Sequence, residues 1–292
     1  MRSATLLCGL AAFGAERWTT PVLGHIFDEN SKAIHQVTGI AGAAGLGSAV
    51  PIPVKADRAS VAWGGRPWAV VAAAEGGSFG AAWSESGPRL AAMQGAIAWT
   101  DAAWSGTDAV ALYSRDSGLV QVWRGLPGSP EIVREVQVTS LAAVAVATDG
   151  TFAAASEAEV RIWESGTVRQ VSFAGARALA WLGSSQGGLV AIGATGAVVI
   201  RNGKAEPAGD IAPGALVLGV SPDGTAAVSC IEGVAVVSRI GSSEAVSLDG
   251  PGCGDGLQWL RSDVFSIRTS NGEQWLAGTG GTSILLTAGG GR

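Results

Sequence analysis

A chain of 292 residues, 47% of them hydrophobic and only 15% charged, is too apolar to be disordered and long enough for one large domain. Its net charge of −5, with 19 Lys and Arg and no concentrated basic run, argues against a phosphate-binding face and a nucleic-acid partner. No apolar run approaches the roughly 20 residues of a membrane-crossing helix, so no transmembrane segment is expected.

The first fifteen residues carry one positive side chain, Arg2, then an apolar stretch from Ala4 to Ala15 with small residues at Ala12 and Gly14. That pattern predicts a short secretory signal over 1–15, cut near Gly14 or Ala15, and a periplasmic or secreted protein whose single domain occupies 16–292. Beyond it, Val22 to Phe27 and Ala33 to Val37 predict a hairpin across Asp28-Glu29-Asn30-Ser31. A Gly/Ala-rich connection from Gly39 to Gly47 is expected to follow.

The stretch Thr139 to Phe173 then shows the unit from which most of the chain is built. Four apolar runs, Leu141 to Ala147, Thr151 to Ala155, Glu159 to Trp163 and Val168 to Phe173, are separated by turn-formers such as Asp149-Gly150, which predicts a four-stranded meander. Trp83, Trp123 and Trp163 recur every 40 residues, the latter two ending the runs VQVW and VRIW. A second series, Trp63, Trp104, Trp181 and Trp259, marks first strands. Six such copies are expected at about 56–95, 96–138, 139–174, 175–212, 213–249 and 250–288. A period of about 40 residues with four strands in each predicts an all-β fold, a β-propeller. The six copies plus the N-terminal hairpin favour seven blades, with the ring closed by strands from both ends; six with an appended hairpin is the alternative. Runs such as Trp68 to Ala74 are apolar throughout because both faces of a blade pack on neighbours, and their flanking glycines leave too little room for a helix.

Ser221-Pro222-Asp223-Gly224-Thr225 before a second strand, together with VQVW and VRIW closing third strands, resembles WD40-type and related bacterial propellers from Val22 onward. The resemblance is one of architecture. The Gly-His pair is missing, and Arg124 and Glu164 follow Trp123 and Trp163 where that family has Asp, so its buried hydrogen-bond network does not carry over.

Candidate sites are few. Cys230 ends a second strand and Cys253 lies in the connection to the next blade, on the same face of a propeller, so an oxidising compartment predicts a disulfide between them. Glu75, Asp116, Glu157 and Glu232 each fall in the turn after a second strand on that face. They are the candidate binding face, a negative mouth for a cation or a basic segment, or else solvated turns serving solubility. His25 and His35 sit on facing strands of the hairpin without clustered partners, so neither a metal nor a cofactor is expected. No nucleophile elbow or Ser-His-Asp order is present. The Trp series reads as wedges between sheets, with stacking on sugars as the rival reading. These features predict an exported, monomeric, non-catalytic binding or scaffold module for a protein or carbohydrate partner, acting through its top face or rim. The alternatives are a hydrolase or lyase acting on an extracellular polymer through top-face carboxylates, and a structural repeat without a ligand.

Overall fold

A computed structural model describes residues 21–286 apart from 41–42, 85, 107, 183–186, 195, 211–214 and 255. The expected secretory signal lies outside the described residues. Twenty-seven strands form seven antiparallel sheets, and no α-helix occurs among the described residues. Among the described residues the first sheet has three strands, β1 (Val22–Asp28), β2 (Ala33–Ile40) and β3 (Ala43–Ala49). Six four-stranded meanders follow: β4–β7 over 56–92, β8–β11 over 101–137 and β12–β15 over 143–172, then β16–β19 over 176–209, β20–β23 over 216–252 and β24–β27 over 256–285. The chain is a seven-bladed β-propeller. Two boundaries differ from expectation. The Gly/Ala-rich stretch after the hairpin is a strand, β3, because Ala43 to Leu46 continue the ladder on β2; the sixth blade runs to Gly252, beyond the expected 249.

Alternation within each sheet explains the composition. In β13 (Phe152–Ala155), Phe152 and Ala154 pack toward the third blade while Ala153 and Ala155 pack toward the fifth. In β17 (Leu189–Gly193), Leu189 and Ala191 face the fourth blade, and Val190 and Ile192 face the sixth. Seven apolar clusters result, each lying between two neighbouring sheets. The one that closes the ring joins Leu23, Ile26 and Val37 of the first blade to Leu260, Val264 and Leu276 of the seventh. The 40-residue tryptophans are wedges in these junctions. Trp123 is 1% exposed beside Val70 of the second blade, and Trp163 stacks on Phe152 at 4.4 Å with the rings 4° apart.

Local chemistry sets the turns. In Ser221 to Thr225, the fully buried Ser221 hydroxyl donates to Asp223 Oδ1 (2.6 Å) and accepts from the amides of Thr225 (3.0 Å) and Ala226 (2.9 Å). Gly224 takes φ +73°, which a side chain there would resist. In the third blade, two residues before Trp123, the buried polar network is built on Gln121. That side chain is 2% exposed; its Oε1 accepts from Ile97 N and Trp123 Nε1, and its Nε2 donates to Gly95 O and Glu135 Oε2. Gln121 thereby ties the strap before β8 to the third blade.

Ring closure uses no shared strand among the described residues. Instead Gln258 of β24 (Gly256–Trp259) imitates a strand edge: its Nε2 donates to His25 O (2.9 Å) and its Oε1 accepts from Phe27 N (3.4 Å) of β1. The Gly64 amide also donates to Leu260 O at 2.7 Å, directly bridging second and seventh blades.

Candidate functional site: the channel and its top mouth

Each blade from the second to the seventh sends its first strand to the ring's axis, where β4, β8, β12, β16, β20 and β24 enclose a channel of about 380 Å³. Among the described residues, no part of β1–β3 lines it. The burial of β1 matches that of second strands elsewhere, so β1–β3 take the second, third and fourth strand positions of their blade, and the Gly64 amide reaches from the second blade to Leu260 of the seventh.

The lower end of the channel is aromatic. Trp63, Trp104, Trp181 and Trp259, the first-strand tryptophans, all line it. Trp104 Nε1 donates to Ser60 Oγ (3.1 Å) and Trp63 Nε1 to Trp104 O (3.4 Å), while the buried Nε1 groups of Trp181 and Trp259 have no hydrogen-bond partner among the described residues. These rings form the channel wall and do not project from an open face.

The upper end opens into a mouth of about 860 Å³. Arg115, Arg177 and Arg268, from the third, fifth and seventh blades, line it beside Leu216, and no Asp or Glu among the described residues does so. Leu216 is 60% exposed there. Arg115 is held in place by its neighbours. Its Nε donates to Asp101 Oδ2 at 3.0 Å, its amide donates to Thr100 Oγ1, and Tyr113, the register partner of Asp101, adds a further hydrogen bond. Burial, reinforced by the Asp101 carboxylate, pushes the Tyr113 hydroxyl up to about 12, so it stays neutral. Burial lowers the Arg115 guanidinium, but Tyr113 and Asp101 outweigh it and raise it. Arg58, on β4 at the adjoining notch of about 260 Å³, lies 5.7 Å from the Trp99 ring and donates to Trp99 O. Arg177 makes no ion pair among the described residues.

The structure places the four acidic candidates in turns after second strands, as expected from their spacing. Glu75, Asp116, Glu157 and Glu232 are all exposed, no side-chain hydrogen bond or ion pair joins them, and none lines the mouth. Asp116 and Arg115 are neighbours in one turn, yet only the arginine lines the opening. The mouth's arginines escaped the sequence reading because they come from three blades and occupy two different strand positions: Arg177 on a first strand, Arg115 and Arg268 around second-strand ends. No short window brings them together.

Cys230 and Cys253 form the expected disulfide at the edge of the mouth, with Cα atoms 5.6 Å apart, inside bridging range. The two histidines do not face each other. His25 pairs with Gln36 and His35 with Ile26, which puts the rings on opposite faces of the hairpin. His25 is buried and accepts from Trp83 Nε1 (3.1 Å), while His35 meets Ser31 Oγ (3.2 Å) and Gly47 O (3.0 Å). Among the described residues, no three potential metal ligands cluster.

No protein-family model matches the sequence, and no curated protein matches it. Solved structures do. The chain is similar to a functionally unknown protein from Desulfotomaculum acetoxidans DSM 771, with a TM-score of 0.64 and 10% identity over 90% of this chain and 95% of that one. It is also similar to KlHsv2 with loop 6CD replaced by a Gly-Ser linker, with a TM-score of 0.57 and 10% identity over 92% of this chain and 98% of the other. At this identity the likeness defines the fold alone.

Proposed function

We propose that this protein is an exported, non-catalytic binding module that takes its ligand at the top mouth of the channel. One observation carries the reading: among the described residues, the mouth of about 860 Å³ is lined by arginines and an exposed leucine, and by neither a carboxylate nor a histidine. Retaining or inverting hydrolysis of a glycoside needs two converging carboxylates, one of them held protonated. The carboxylates nearest the axis are committed elsewhere, Asp101 to Arg115 and Thr100, and Asp223 to Ser221 and Thr225. The disulfide supports export, since such bonds persist in oxidising compartments. No helix among the described residues is long and apolar enough to cross a membrane.

The test is incubation with panels of peptides and oligosaccharides, followed by hydrogen exchange of the protein and mass analysis of the ligands. Expected is protection of the amides around 215–218 and 252–254 with every ligand recovered intact. Cleavage that disappears in Asp101→Asn would overturn the reading in favour of a hydrolase.

A further inference from the structure

We infer that the top mouth is a receptor for a slender acidic peptide segment carrying an aliphatic side chain. This rests on the proposed binding role and names its ligand class. Arginine is suited to carboxylates because its planar guanidinium donates through two parallel N–H groups. Arg115, Arg177 and Arg268 stand around one opening and Arg58 lies at the notch beside it, while among the described residues Asp101, paired with Arg115, and Glu29, paired with Lys32, are the carboxylates that line the notch. The local excess of positive charge runs against a chain of net charge −5.

The surroundings narrow the ligand further. Glu75, Asp116, Glu157 and Glu232 are exposed on the same face, outside the mouth. A broad polyanion lying across the face meets these carboxylates before it meets the arginines, and like charges repel it. A single extended chain entering along the axis does not. Beside the arginines, the exposed Leu216 and the half-buried Leu218 form a small apolar shelf, which an acidic saccharide has little to match and a peptide side chain does. Asn30, Thr269 and Ser270 add polar groups suited to main-chain amides.

The inference is tested by fluorescence anisotropy of a labelled twelve-residue peptide in which Glu alternates with Leu, titrated with the full chain at low and high salt. Binding is expected to weaken about tenfold when salt rises from 50 to 200 mM, on the order expected for a few released counterions. Arg177→Glu should weaken it at least tenfold and Leu216→Ser several-fold, with unchanged melting temperatures showing that both variants fold. Free citrate and polygalacturonate serve as competitors. Citrate displacing the peptide equally from wild type and Leu216→Ser, or polygalacturonate binding more tightly than the peptide, would overturn the peptide assignment. A neutral Leu-bearing peptide that binds with affinity unchanged by Arg177→Glu but lost in Leu216→Asp would sink the acidic-ligand inference and leave the top-face reading standing. Binding disturbed only by variants at the aromatic lower end would defeat both.

Discussion

Single polar side chains do disproportionate structural duty where strands alone leave gaps. Gln121 and Gln258 each satisfy backbone groups that no ladder reaches, one at the strap between second and third blades and one at the ring closure. A glutamine carries both donor and acceptor at the end of a flexible stem, so it can stand in for one rung of a sheet. His25 shows the opposite economy. Its Nε2 accepts from Trp83, its buried Nδ1 has no partner among the described residues, and burial lowers its pKa from 6.5 to about 4. The unfolded chain therefore takes up a proton between pH 6.5 and 4 where the folded chain does not. Stability is full above pH 6.5 and falls as pH drops toward 4, by on the order of 2 kcal/mol after allowance for solvent screening. Urea unfolding at pH 7.5 and pH 5 should show that loss in the wild type and a smaller one in His25→Gln, which keeps an acceptor for Trp83. Equal losses would remove His25 as the cause.

At the scale of strands and turns, most of the architecture could be read from the chain. The four runs of the 139–173 unit match β12, β13, β14 and β15 closely, because Asp-Gly turns and doubly buried runs are local signals. The disulfide was also legible, since strand order alone puts Cys230 and Cys253 at one end of one blade. What escaped was set by packing. Residues 43–49, mostly Gly and Ala, have weak strand propensity, and only the β2 edge makes them β3. Likewise, nothing local distinguishes Arg177, which lines the mouth, from Arg134 on the outer strand β11 (Glu131–Gln137). The disulfide closes a separation of 23 residues between β21 (Ala226–Ile231) and the entry to β24, worth about 3 kcal/mol in the chain-entropy model. Cys230→Ser with Cys253→Ser should lower the unfolding free energy by about that amount. Alkylation of the denatured, unreduced wild type should label neither cysteine; labelling at both would refute the bond.

For the whole molecule, the junction of seventh and first blades differs in kind from the other six. Every other pair of neighbours is joined by the chain itself, whereas among the described residues this one is held by the Leu23–Leu260 cluster, the Gln258 amide and the Gly64–Leu260 bond. Gln258→Leu leaves Phe27 N–H and His25 C=O without that partner and should cost about 2 kcal/mol. Native-state hydrogen exchange should show the loss concentrated in β1 and β24, with β9 (Val110–Ser114) and β13 little changed. A uniform loss over all blades would mean that the closure has no separate opening.

The placing of the mouth's arginines also gives the axis a direction. Seven equal sectors would offer an entering guest as many interchangeable rotations; guanidiniums on the third, fifth and seventh blades, with Leu216 on the sixth, offer one. Whatever enters the bore is thus given an angular address, and a repeat that began as copies of one another ends as a socket with a key.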